Sequence, residues 1–266
     1  MAFDHVGARP RIAIEWQGSG PLVVFLHGIG GNRTNWRGNL PAVAEKFTAL
    51  GWDARGYGES DDYDGPFRFA DAVADLAAVL DRMDAATAHL VGLSLGGRIA
   101  AHFHAAHPAR VASLTLCDTH LGFGHYPEKV RKRFVQSRRD PLLAGATMDE
   151  LAPAIARTLI GDPTDAETLG LLTASMGAVR RESYIKTVTG SVEDDMTPKL
   201  DNVRVPALVL TGQHDRITPP SMAREIAARI PGSTVAVLDG AGHLSNVERP
   251  DAFNRTIMAF LEAVER

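Results

Sequence analysis

Three residues that lie far apart in the chain have the types needed for acyl transfer. Gly92-Leu93-Ser94-Leu95-Gly96 has the form G-x-S-x-G, with the apolar His89-Leu-Val-Gly92 before it and the helical pattern Gly97-Arg-Ile-Ala-Ala-His-Phe103 after it. A serine at a sharp strand-to-helix turn projects its hydroxyl, and small neighbours let the backbone pass closely. At neutral pH that hydroxyl needs a base to take its proton, and the base needs an acid to orient it. Leu208-Val-Leu-Thr-Gly-Gln-His-Asp215 places an acid just beyond a second apolar run, and Val235-Ala-Val-Leu-Asp-Gly-Ala-Gly-His243 places a histidine in a glycine loop beyond a third. Each has an ordinary explanation alone: a glycine turn at Ser94, a turn residue or N-cap at Asp215, a surface loop at His243. Together they read as a nucleophile, its orienting acid and its base.

The elements that must position them alternate. Arg11-Ile-Ala-Ile-Glu-Trp16 has the period of a half-buried antiparallel strand. Leu22-Val-Val-Phe-Leu26 is a continuous apolar run entering the loop His27-Gly-Ile-Gly-Gly31, and Phe47–Trp52, His89–Gly92 and Ser113–Cys117 give further strands. Val73, Leu76, Leu80 and Met83 fall at helical spacing within Asp71–Met83, and a helix begins at Gly97 and ends near Pro108. After Cys117 strand signals stop. Helical patterns occupy 128–139, 148–160, 165–177 and 180–190, and strands resume at Pro206–Thr211 and Thr234–Leu238 with helices at 220–230 and 250–264. The expectation is an α/β protein with a mainly parallel, doubly wound sheet. Residues 1–121 and 201–266 form its core, and 122–200 form a helical lid over the strand ends, where such sheets place their sites.

The chain has 266 residues with 28 basic against 32 acidic side chains, and 45% of it is apolar. That composition suits one globular core with an insertion and excludes wholesale disorder. The mild acidity gives no footprint for nucleic acid or anionic lipid, and no stretch is long and apolar enough for a membrane span. A single cysteine, Cys117, excludes an intramolecular disulfide and reads as a small core residue. With no leader-like segment at the N-terminus, a cytoplasmic protein is expected. Oligomeric state is left open.

From about Gly20 to Glu265 the chain resembles the α/β-hydrolase superfamily. The matching residues are His27–Gly31, Asp53-Ala-Arg-Gly-Tyr-Gly-Glu-Ser60, Gly92–Gly97, Gly212-Gln-His-Asp215 and Gly240-Ala-Gly-His243. His243-Leu-Ser-Asn-Val-Glu-Arg-Pro250 is similar to the 3-oxoadipate enol-lactonase and carboxylesterase branch. The chain order Ser94, Asp215, His243 is that of the fold. The resemblance implies an oxyanion hole made by the backbone N–H groups of Ile29 and Leu95. It also implies that His27, Asp53 and Arg55 organise loops, and that the small-molecule substrate is a carboxylic ester or lactone cleaved without a cofactor.

Carbon–carbon bond hydrolases of ring-cleavage products use the same triad, but they carry Asn before the nucleophile and Trp after the histidine, where this chain has Leu93 and Leu244. Cofactor-free haloperoxidases or perhydrolases, and ligand receptors on the same fold, are the remaining alternatives. The His102, His104, His107 cluster has no acidic neighbour, and its members cannot share one helix face, so solvent-facing histidines are expected rather than a zinc site. Arg131, Lys132, Arg133, Arg138 and Arg139 read as a solvated helix face. Trp36, His120, Phe123, His125, Met148, Met176 and Tyr184 are candidates to line the substrate pocket. Charged residues interspersed through 122–200 favour small esters over a lipid surface.

Overall fold

The computed structural model describes residues 1–124, 126–194 and 200–266. Its strands and helices follow in the order β1 Ala2–Val6, β2 Ile12–Gln17, β3 Leu22–Leu26, α1 Leu40–Val43, β4 Thr48–Trp52, α2 Phe69–Arg82, β5 Ala88–Leu93, α3 Leu95–Ala106 and β6 Val111–Cys117. Then come α4 Glu128–Leu143, α5 Met148–Leu159, α6 Ala166–Gly177, α7 Arg181–Glu193, β7 Ala207–Gly212, α8 Pro220–Ala228, β8 Thr234–Leu238, α9 Ser245–Glu248 and α10 Pro250–Val264. The strands form one eight-stranded sheet in the order β1-β2-β4-β3-β5-β6-β7-β8. Pairs β1–β2 and β2–β4 are antiparallel, and the rest are parallel.

Strand side chains alternate between two apolar layers, as a period of two requires. Leu22, Val24 and Leu26 of β3 face the layer that holds Leu76 and Val79 of α2, Ile99 and Phe103 of α3 and Ile226 of α8. Val23 and Phe25 face the other, with Leu40 and Val43 of α1 and Phe253, Ile257 and Leu261 of α10. The same split runs through β5 (Leu90 against Val91 and Leu93) and β7 (Val209 against Leu208 and Leu210). Burial on both faces is why these strands are written as unbroken apolar runs.

Two features depart from the sequence reading. Ala2–Val6 is a strand, paired in register with β2 from Ala2↔Trp16 to Val6↔Ile12. It is an edge strand whose burial rises only toward Val6, so no apolar pattern announces it. His102 and His104 are not solvent-facing: His104 is buried, and His102 stacks on Phe69 with ring centroids 4.3 Å apart. Burial first, with the Arg98 charge beside it, takes the His102 imidazole down to about 4. No group of side chains among the described residues is arranged to hold a metal ion, and no described helix is long and apolar enough to cross a membrane.

Candidate active site

Five loops leave the carboxyl ends of parallel strands on one side of the sheet: 27–31 after β3, Ser94 after β5, Asp118 after β6, Asp215 after β7 and His243 after β8. That edge is where open α/β sheets gather ligands. Ser94 sits between β5 and α3 with φ of 55°, a left-handed conformation costly for a residue with a Cβ. Its N–H donates to Cys117 O at 2.9 Å and its carbonyl accepts from Thr119 Oγ1 at 2.6 Å, so the surroundings hold the strained turn. Gly96 is needed for close approach: a Cβ there would lie 2.0 Å from the carbonyl oxygen of Leu26. Gly96→Ala is therefore expected to cost about 3 kcal/mol or more, lowering Tm by roughly 6–12 °C. Gly170 on α6, with nothing within 4 Å of an added Cβ, is the control. Equal melting of wild type and Gly96→Ala would contradict this packing.

Ser94 Oγ lies 3.1 Å from His243 Nε2, and His243 Nδ1 lies 2.8 Å from Asp215 Oδ2. The Asp215 carboxylate is fixed on both oxygens. Oδ1 accepts from the N–H of Ile217 and of Thr218 at 2.8 and 2.9 Å, and Oδ2 accepts from Thr218 Oγ1 at 2.6 Å. Burial alone would raise this carboxyl, but His243 and the Thr218 donors outweigh it and hold it below the ordinary carboxylate value. Burial likewise works to lower His243, and the charge and hydrogen bond of Asp215 outweigh it, so the imidazole stands above its ordinary 6.5. The tautomer with the proton on Nδ1 leaves Nε2 free to accept from Ser94.

The expected oxyanion donors are the backbone N–H groups of Ile29 and Leu95. Leu95 is the first residue of α3, so its N–H has no partner within the helix. Ile29 lies in the loop after β3 and lines the cavity with Ser94. His27 braces that loop: its Nδ1 lies 2.8 Å from Gly28 O, and its Nε2 accepts from the Ala54 N–H at 3.0 Å. Asp53 accepts from the Arg33 N–H at 2.7 Å, from the Arg33 guanidinium and from the Glu59 N–H, while Arg55 holds Asp75 with Nε at 2.7 Å and Nη2 at 2.8 Å. These side chains fasten the loops to one another and to α2, and none of them lines the cavity that contains Ser94.

Helices α4–α7 lie between β6 and β7 and roof the site, with α4 packed on α7 and α5 on α6. Beneath them, a cavity of about 500 Å³ including its mouth is lined by Ser94, His243, Ile29, Met176, Tyr184 and other side chains. A smaller chamber of about 430 Å³ adjoins it, sharing Gly28, Ile29, Leu93 and Met176. Trp36 lines that second chamber and not the one containing Ser94. Three candidate lining residues fall elsewhere. Met148, only 4% exposed, packs into the core from the first turn of α5. Phe123 is buried behind Phe134, its ring centroid 4.7 Å from that ring. His120 lines a separate small cavity with Gly97, Thr119 and Ile226. His125 lies outside the described residues.

Several residues at the site were not among the candidates for it in the sequence. Phe134, Arg138, Ile155 and Leu159 reach the cavity from α4 and α5, and Ile217 and Leu244 do so from beside Asp215 and His243. Arg138, expected on a solvated face, is half-buried there. Glu248 accepts from the N–H of Gly161 at 2.7 Å, of Gly242 at 3.0 Å and of Leu244 at 3.2 Å, tying the end of α5 to the histidine loop. Asp118, in a left-handed turn, accepts from Gly212 N–H at 2.8 Å and from Ser245 Oγ at 2.5 Å. Burial and the nearby Asp215 charge raise its carboxyl to about 7.

A parallel-sheet core, a serine at a strained strand-to-helix turn and the order serine, acid, histidine define a class of enzyme fold. The family model described as alpha/beta hydrolase fold matches residues 21–250, and the chain belongs to that family. Among curated relatives, the chain is 26% identical over 252 residues to 3-oxoadipate enol-lactonase 2 of Acinetobacter baylyi, covering 92% of this chain and 90% of the relative. It is 29% identical over 271 residues to the 2-hydroxy-6-oxononadienedioate/2-hydroxy-6-oxononatrienedioate hydrolase of Burkholderia vietnamiensis, covering 96% and 92%. Among solved structures, a thermophilic esterase from Thermogutta terrifontis superposes with a TM-score of 0.90 at 27% identity over the whole of both chains.

Proposed function

We propose that this hydrolase cleaves carboxylic esters or lactones through an acyl-enzyme on Ser94. The observation that carries the reading is the continuous hydrogen-bonded path Asp215–His243–Ser94 opening into a partly covered, mostly apolar cavity. Ser94 Oγ attacks the carbonyl carbon while His243 Nε2 takes its proton. The imidazolium so formed faces Asp215, and the N–H groups of Ile29 and Leu95 stabilise the oxyanion. Collapse expels the alcohol, which takes the proton back from His243. Water then attacks the acyl-enzyme by the same steps in reverse, with His243 as base.

Leu93 and Leu244 flank the nucleophile and the base with apolar groups. They offer no polar side chain for the proton transfers that a carbon–carbon cleavage adds, and this favours the ester or lactone reading. The roof limits size, because α4–α7 enclose the site instead of presenting an open apolar face. A panel of p-nitrophenyl esters, enol-lactones and simple lactones, run beside a fluorophosphonate probe, tests the proposal. Turnover of small esters or lactones and labelling of Ser94 are expected, with short and medium acyl chains preferred to emulsified triglycerides. Failure of both turnover and labelling would overturn the assignment; a triglyceride preference would overturn the account of the roof.

A further inference from the structure

The cavity above Ser94 is apolar on most sides, and Arg138 is the one Lys, Arg, Asp or Glu side chain among its described lining residues. It comes from α4, in the roof, and is half-buried. Its neighbours on that helix show what solvated cations look like here: Lys132 pairs with Glu128 at 2.6 Å, and Arg139 with Asp140 at 2.9 Å. No carboxylate among the described residues comes within 4 Å of Arg138. Its guanidinium carbon lies 4.0 Å from the centre of the Phe134 ring, one helical turn earlier. Nη1 donates long hydrogen bonds of 3.3 Å to Phe134 O and to Ser137 Oγ. Burial pulls the guanidinium below its ordinary value, with Tyr184, which lines the same cavity, pulling the other way.

A guanidinium stays charged in proteins, so it cannot escape partial burial by losing its proton. A cation half-withdrawn from water with no counter-ion among the described residues carries a standing desolvation cost, which an entering anion offsets. The Phe134 ring packed against it limits where the guanidinium can move, and a planar fork of N–H donors matches the two oxygens of a carboxylate. We propose that Arg138 is a receptor for a carboxylate carried by the substrate, so that the preferred esters or lactones are anionic. The proposal rests on Ser94 as the nucleophile of that cavity and names the substrate class it serves. On this account the core supplies the chemistry, and the inserted helices supply the charge selection.

The test compares substrates that differ only in charge. Monoethyl glutarate, monoethyl adipate and the butyrate ester of glycolate are each paired with the matching primary amide, and kcat/KM is measured for both members. Wild type is expected to prefer the anion in at least one pair by about tenfold or more, as one charge-assisted hydrogen-bonded contact provides. Arg138→Gln should reduce that ratio by about ten- to a hundredfold, and Arg138→Lys should keep part of it. Calorimetric titration of wild type and Arg138→Gln with glutarate and adipate gives a readout that needs no turnover. Binding that weakens at least tenfold in Arg138→Gln supports the receptor. A wild-type enzyme that prefers no anion and binds neither dicarboxylate would overturn it, as would a preference undiminished by Arg138→Gln. Should no ester turn over and no fluorophosphonate label Ser94, the hydrolase reading fails by itself, and the titrations still decide for or against Arg138.

Discussion

Ser94→Ala is expected to lower kcat by about 10⁴–10⁶-fold while the protein folds and melts like wild type. The side-chain oxygen contacts the base, whereas the turn is held by backbone bonds from Ser94 N–H to Cys117 O and from Thr119 Oγ1 to Ser94 O, which alanine keeps. Alanine bears the same Cβ as serine, so the left-handed φ of 55° is no more strained than before. Residual activity above water would come from binding and from the oxyanion donors. A second loss should not add to the first: Ser94→Ala combined with Asp215→Asn is expected to be no slower than Ser94→Ala alone. Steady-state kinetics on a preparation free of wild type, with circular dichroism as the folding control, checks both points. Wild-type turnover in a folded Ser94→Ala protein would exclude Ser94 as nucleophile.

Asp215→Asn should cost about 10⁴-fold for a reason legible in its hydrogen bonds. Oδ1 accepts two backbone N–H groups, from Ile217 and Thr218, so an asparagine would keep its carbonyl oxygen there. Its NH₂ would then occupy the place of Oδ2 and point at His243 Nδ1. That nitrogen would have to accept, which moves the imidazole proton to Nε2, where it blocks acceptance from Ser94. The pH profile should move as well. His243 must be neutral to act as base, so kcat/KM falls as pH drops through its pKa. Asp215 holds that pKa above 6.5 against burial, which places the wild-type acid limb above the ordinary histidine value. Removing the charge lets burial prevail, and the residual activity of Asp215→Asn should show its acid limb at lower pH. A limb that stays in place, or a wild-type rate flat across the histidine range, would argue against His243 as base.

What could be read in the chain depended on how burial is written. Leu22–Leu26 is covered on both faces, so the strand and its apolar run coincide residue for residue. Ser94 and Asp215 follow closely on such runs, and His243 follows β8 through a glycine loop, so order and local chemistry identified all three candidates. Edge and roof positions gave less. β1 carries Asp4 and His5 within a strand whose other face is solvent, which looks like an ordinary polar terminus. Pocket membership depends on how each roof helix is rotated against its neighbours, and a pattern fixes the apolar stripe without saying which member faces Ser94. Met148 and Met176 are both buried methionines at roof-helix positions, yet only Met176 reaches the cavity. Arg138 was hidden by its company, since Arg131, Lys132, Arg133 and Arg139 make the segment look uniformly solvated. Its position one turn after Phe134 was the available signal.

Glu248 and Asp118 are the same kind of case. Neither touches the cavity, and both act on the backbone that carries the histidine: Glu248 through Gly242 and Leu244, and Asp118 through Ser245, with its other oxygen on Gly212 of the acid's strand. The partners of Asp118, and Gly161 beyond the end of α5 as a partner of Glu248, come from segments distant in sequence, so only the folded chain reveals them. The geometry makes the histidine loop a junction between core and roof, because His243 N–H donates to Leu159 O at 2.7 Å.

The central claim is a covalent acyl-enzyme on Ser94, and mass spectrometry of enzyme quenched during turnover of p-nitrophenyl acetate tests it most directly. One acetyl group should be added to the intact protein, and peptide mapping should place it on Ser94, with no adduct in Ser94→Ala. Turnover without an adduct under conditions where deacylation limits the rate, or an acetyl group that maps to another residue such as Cys117, would contradict it.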